Sequence, residues 1–383
     1  MFHSLHIQGV EAFKKGEYIH AKKLFLQAIS LNHEIPDTYF LLGQTCFLSD
    51  EKNEAISYLN RFIELTMNKK NRDNWSYAFE LLGQCYAADN QDEVAITYYF
   101  AAIENDFNCV SARHNLGLSY MKLAQNYLKS HLNNCFILLR DAQIALTSAL
   151  ALCRDNPMLL HSVASWHEQC IDLLNQLAEE KNTQEDISVN FICAIHYYRE
   201  ALAHCHKDDH SLHQMITENL TECYAQFGHH LYQNKEYTIA QILYSLTLDL
   251  DKNHIPALNQ MGICSFKQGM YMEARKTFVT ILERTVDIQD RADAWLNIAC
   301  CYRLEKNWGE AENSLAEARK LAPQDLRVNE ETEKLKQARS NALLGVNTQT
   351  IFGIKPDNTP SFSVEETDIL QPINSIPGIQ DFL

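Results

Sequence analysis

Basic residues are in short supply. The chain of 383 residues holds 33 Lys and Arg against 49 Asp and Glu, a formal charge of −16. That balance argues against a nucleic-acid backbone or an anionic membrane surface as the main partner. Glycine and proline are scarce as well, at 12 and 8, which points to a helix-rich chain. No Cys-x-x-Cys occurs, and of the twelve cysteines only Cys300 and Cys301 are adjacent. No basic segment followed by a long apolar stretch opens the chain, so no secretory signal is expected. No apolar run approaches ~18 residues, so no transmembrane helix is expected either. These absences point to a reducing, cytoplasmic setting with cysteines as small core residues.

Motifs for chemistry are missing too. Nothing fits a phosphate-cradling glycine loop or a G-x-S-x-G elbow. His204, Cys205, His206, His210 and His213 are crowded, but Lys207-Asp208-Asp209 reads as a break between helices. That break spoils the i, i+4, i+7 alignment a zinc site needs. The expectation is no catalytic residue, no metal and no cofactor.

What the sequence does have is internal repetition. Twelve residues after Gly43 comes Ala55, then Leu59, then Phe62. The same spacing recurs from Gly9 (Ala21, Phe25, Ala28), Gly83 (Ala95, Tyr99, Ala102), Gly228 (Ala240, Tyr244, Thr247) and Gly262 (Ala274, Phe278, Ile281). It recurs from Ala299 (Ala311, Leu315, Ala318), and in stretched form from Gly117 (Ala142, Leu146, Ala149) and Ala164 (Ala194, Tyr198, Ala201). Two antiparallel helices that cross closely demand a small residue on each at the crossing. A large residue one turn further on fills the groove between them. Turn signals at Lys15-Gly16-Glu17, Asp89-Asn90-Gln91, Gln268-Gly269 and Lys306-Asn307 separate the helices.

This spacing resembles the tetratricopeptide repeat family over residues 2–325, with Trp295, Tyr302 and Pro323 adding to the match in the last unit. The resemblance implies an all-α, right-handed α-α superhelix, a solenoid of about eight repeats over residues 1–325. The units run 2–35, 36–69, 76–109, 110–156, 157–208, 221–254, 255–288 and 292–325, with an insert at 209–220. The fourth and fifth are over-long. Leu123–Leu128 reads as a continued first helix broken near Asn133-Asn134, and Ile171–Glu180 as another that precedes a polar loop at Lys181–Asp186. Residues 326–344 read as a capping helix ending at Gly345. Residues 345–383 read as a flexible acidic and apolar tail. Its aliphatic residues from Ile369 to Leu383 suit it to occupy a groove of its own or a neighbouring chain, the alternative being a passive tail or an export signal.

The resemblance further implies that first helices line a concave binding face. The residues it selects there are His6, Val10, Phe13, Phe40, Gln44, Phe47, Tyr77, Gln84, His114, Leu118 and Met121. Aromatic and aliphatic side chains in such a track suit a protein or peptide ligand with apolar anchors. The repeats that hold acidic C-termini of heat-shock chaperones carry a Lys and an Asn four apart on a first helix. Here those places hold His6 and Val10, Phe40 and Gln44, Glu80 and Gln84, so such tails are not expected as ligands. The function implied is a non-catalytic scaffold or adaptor, and more narrowly a chaperone for secreted proteins. The alternative is a bacterial effector secreted into a host cell that acts by protein binding; an enzyme or metal-binding protein fits less well.

Overall fold

The computed structural model describes residues 1–67, 72–181 and 187–352. Those residues form seventeen α-helices and, among the described residues, no strand. The chain divides into two compact units, Met1–Leu212 and His213–Leu383.

In the first unit the helices follow as five consecutive pairs. These are α1 (Phe2–Lys14) with α2 (Tyr18–Leu31), α3 (Pro36–Leu48) with α4 (Lys52–Thr66), and α5 (Trp75–Ala88) with α6 (Asp92–Asn105). Then come α7 (Val110–Tyr127) with α8 (Leu132–Leu152), and α9 (Pro157–Lys181) with α10 (Ser188–His204). Pro36 and Pro157 open first helices, where a missing N–H leaves no bond unmade.

The recurring small residues mark the crossings. Ala21, Ala55, Ala95, Ala142 and Ala194 are fully buried. A Cβ placed on Gly83 would lie 2.5 Å from Cε1 of Tyr99, and one on Gly9 2.6 Å from Cε1 of Phe25. Only hydrogen fits there. The partner ring fills the space a side chain would need, as the spacing argument requires. The short turns inside six of the pairs place one residue in the left-handed region: Gly16, Asp50 and Asn90 here, and Lys235, Gly269 and Lys306 in the second unit.

The extra length of the middle helices is packed. Ala124, Cys135, Leu139 and Leu173 bury one another, with Tyr127, Leu132 and Leu177 against them. The helix break expected near Asn133-Asn134 lies earlier, at residues 128–131. Both asparagines sit in the first turn of α8, a position asparagine tolerates as readily as a break.

The second unit begins within α11 (His210–Gln233) and continues with α12 (Tyr237–Leu250), α13 (Ile255–Lys267), α14 (Tyr271–Arg284), α15 (Ile288–Leu304), α16 (Trp308–Leu321) and α17 (Leu326–Phe352). Residues 210–220, within the stretch read as an insert, are instead the opening turns of α11. Ala240, Ala274 and Ala311 are fully buried, and Gly228 and Gly262 meet Tyr244 and Phe278 as their counterparts do in the first unit.

α17 caps the last pair. Val328 and Leu335 close over Leu296 and Leu315, while its other side is charged. The helix does not stop at Gly345 but runs on to Phe352. One glycine costs a helix only about 1 kcal/mol, and the next proline is Pro356. The segment assigned to tail docking, Ile369–Leu383, lies outside the described residues.

Candidate protein-binding face

First helices touch their counterparts in the next pair throughout the first unit: α1 on α3, α3 on α5, α5 on α7 and α7 on α9. They form one continuous face, joined by specific side chains. His6 Nδ1 lies 3.0 Å from Thr38 Oγ1. The rings of Phe40 and Tyr77 meet edge to face at 5.8 Å. His114 Nε2 lies 2.7 Å from Ser162 Oγ.

The residues selected from the sequence separate into two sets on this face. Tyr77 and Leu118 are exposed, at 46% and 39%, and Leu48 on α3 joins them at 49%. His6, Val10, Phe13, Gln44, Phe47, Gln84 and His114 are half-buried. Val10, Phe13 and Phe47 pack against the first core cluster, and the Phe13 ring lies 5.8 Å from Tyr18. Gln84 donates to Glu80 Oε1 at 2.9 Å, and Glu80 is itself buried.

Two assignments need correction. Phe40 is 7% exposed and stacks on Phe62 at 5.1 Å, and Met121 is 5% exposed in a cluster with Ala142, Leu146 and Val163. Both are core. The cause is that a first helix is buried on more than one side. On α3 the buried residues are Thr38, Tyr39, Phe40, Leu42, Gly43, Thr45 and Cys46, too wide an apolar arc to show by composition which side is free.

Two histidines on the face are held toward the neutral form. Burial lowers the pKa of His6. Burial, and then the neighbouring His161, push His114 down to about 4. Ser162 Oγ also lies 2.9 Å from the Met158 carbonyl, so the hydroxyl bridges that carbonyl and the His114 ring.

Elsewhere, Cys46, Glu51 and Glu54 bring three potential ligand atoms within 4.8 Å of one another, the one such trio among the described residues. Lys22 Nζ already stands there, 2.7 Å from Glu51 Oε2 and 2.8 Å from Glu54 Oε2, so the cation is an ammonium. In the histidine-rich turn, His206 faces Asp208 at 3.3 Å and His204 lies 3.8 Å from both Asp155 and Glu200. Burial pushes the thiols of Cys46, Cys170, Cys264, Cys300 and Cys301 up to about 12, away from the thiolate form. Among the described residues one helix, α8, is long and apolar enough to cross a membrane by length and composition alone, although Arg140 and Asp141 interrupt its apolar run.

Sequence comparison matches residues 36–66 and residues 265–325 to models described as Tetratricopeptide repeat. No curated protein matches the chain at a significant level. Solved structures are similar in part. TTC0263 from Thermus thermophilus, titled a thermophilic TPR protein, is 18% identical, covering 57% of this chain and 99% of that one, with a TM-score of 0.40. MamA from Desulfovibrio magneticus RS-1 is 12% identical, covering 52% and 95%, with a TM-score of 0.39. Pseudomonas aeruginosa pilF is 18% identical, covering 69% and 100%, with a TM-score of 0.33.

Proposed function

We propose, for a chain that belongs to the tetratricopeptide repeat proteins, that it is a non-catalytic scaffold whose first-helix face in the first unit holds a protein segment with apolar anchors. One observation carries this reading: Leu48, Tyr77 and Leu118 project, exposed, from α3, α5 and α7 on the first-helix face. Exposed aromatic and aliphatic groups gain nothing from water and gain from a ligand that covers them.

The neutrality of His6 and His114 favours an uncharged or weakly charged segment over an acidic tail, and Glu80 offers no cation to a carboxylate. Within this reading the finer role is that of a chaperone shielding apolar segments of a client. None of the twelve cysteines is in a disulfide, which supports a cytoplasmic location. The raised thiol pKa values support a non-catalytic role.

The test is a cross-linking pull-down from the native cell with wild type and with Leu48→Ser, Tyr77→Ser and Leu118→Ser combined. Loss of the captured client with unchanged helicity is the expected result. Undiminished capture by the triple variant would move the binding face elsewhere.

A further inference from the structure

The second helices in the middle of the first unit leave an apolar surface uncovered. α8 is apolar along most of its length, yet much of that apolar surface is not buried. Its stripe of Cys135, Leu139, Ala142 and Leu146 packs inward. Phe136, Ile137 and Ile144 stand outward at 58%, 47% and 61% exposure. Opposite Ile144, Phe100 on α6 is 46% exposed. Between α6 and α8 lies a groove of about 320 Å³ whose floor is Leu116 and Tyr120 of α7. A furrow between two helices, floored by a third, has the shape that accepts one more helix by ridge-into-groove packing.

The polar groups of the groove say what kind of helix. Asp141 lines it and is half-buried. Its Oδ1 accepts from Arg140 Nε at 3.2 Å and Nη2 at 3.0 Å, but the Arg140 side chain is 58% exposed, so that pair is screened by water and readily exchanged. At the other end Arg113 is already committed. Its Nε and Nη2 donate to the Phe107 carbonyl at 3.2 and 2.7 Å, and its Nη1 to Ser148 Oγ at 3.2 Å. Glu93 and Glu104 are exposed on α6, on the same helical face as Phe100. The carboxylate available to an incoming group is therefore Asp141, with Glu93 and Glu104 on the α6 side, on a chain of charge −16.

That charge selects among occupants. Residues 353–383 of this chain carry one Lys against five acids, a second copy carries −16, and an anionic lipid surface is negative. All three are mismatched. We propose that the groove between α6 and α8 docks a basic amphipathic helix of another protein, with its aliphatic face on Phe100 and Ile144 and a lysine or arginine at Asp141. This site is separate from the first-helix face and does not depend on it.

The test uses the full chain and a labelled leucine–lysine amphipathic peptide of about 14 residues, roughly 20 Å as a helix. Two control peptides carry Glu for Lys and Ser for Leu, and fluorescence anisotropy at physiological salt is the readout. Binding of the leucine–lysine peptide alone is expected. It should weaken ~10-fold or more in Phe100→Ser/Ile144→Ser, and several-fold in Asp141→Asn. Tyr77→Ser/Leu118→Ser should bind as wild type, which separates this site from the first-helix face. The altered side chains are substantially exposed, and Ile144→Glu, at the most exposed of them, serves as a second variant if the double one melts early.

Equal binding of either control peptide, or no effect of the groove variants, would overturn the proposal. So would lipid vesicles displacing the peptide. Self-association of wild type that Ile144→Glu abolishes would overturn it in favour of a second copy.

Discussion

His114 Nε2, on α7, and Ser162 Oγ, on α9, share a hydrogen bond of 2.7 Å. The bond ties two first helices with a neutral imidazole, and burial keeps it neutral, with a pKa near 4. Above the unfolded-state value of about 6.5 both states hold the ring neutral and stability is at its full value. As pH falls from there toward 4 the unfolded chain takes up a proton that the folded one does not, so stability declines. The decline attributable to His114 is on the order of 2 kcal/mol. His161 and His167 are shifted the same way by burial and add to it. Hydrogen exchange in α7 and α9 should speed up between pH 6.5 and 4.5, and less so in His114→Gln. Equal acceleration in both proteins would mean that His114 titrates normally.

The helix crossings give a second prediction. Gly83→Ala puts a methyl 2.5 Å from the Tyr99 ring, which is 2% exposed and has nowhere to move. The overpacking should cost about 1–3 kcal/mol. Gly309→Ala, in α16, meets no atom within 4 Å and should be neutral or stabilising by up to ~1 kcal/mol. Urea melts that rank the two variants the other way would refute the crossing geometry.

These crossings were legible in the sequence because they obey a strict requirement. A small residue opposite a large one, at fixed spacing, leaves no alternative, so Gly83, Ala95 and Tyr99 could be named in advance. The first-helix face is less legible. Phe40 and Tyr77 are both aromatic, yet one is core and the other exposed, because helices flanked by neighbours on several sides are apolar almost all round. The groove on α8 carried a signal, an apolar helix without a polar back, but spacing drew attention only to its inward stripe of Ala142, Leu146 and Ala149. The extent of α17 was misjudged because Gly345 looks like a stop, whereas a helix ends there only if another force ends it.

The division between Phe40 and Tyr77 can be measured. Phe40→Ser removes a buried ring packed on Phe62 and leaves a hydroxyl in its place, and should destabilise by ~3 kcal/mol or more. Tyr77→Ser removes a ring 46% exposed and should cost about 1 kcal/mol. Circular dichroism melts of the single variants resolve this. Similar costs would mean that Tyr77 is structural and the binding face is narrower.

The last prediction concerns the cap. Glu331 on α17 is 4% exposed and pairs with Arg303 on α15, with Lys334 3.7 Å away. Burial, with Glu331 beside it, pushes the neighbouring Cys300 thiol up to about 12. Taking one partner from such a pair leaves the other charge stranded, which costs ~3–5 kcal/mol when both are fully buried. Arg303 keeps 19% of its side chain in water, so Glu331→Ala should cost nearer ~2–3 kcal/mol. α17 would loosen first, because Val328 and Leu335 are its main apolar hold on Leu296 and Leu315. Hydrogen exchange should therefore rise in α17 and then α16, with α13 and α14 changing least. Replacing both charges, as Arg303→Met with Glu331→Leu, should recover most of the loss, because no stranded ion remains. If Glu331→Ala leaves exchange in α17 unchanged, the cap is held by its apolar contacts alone and the ion pair is a passenger.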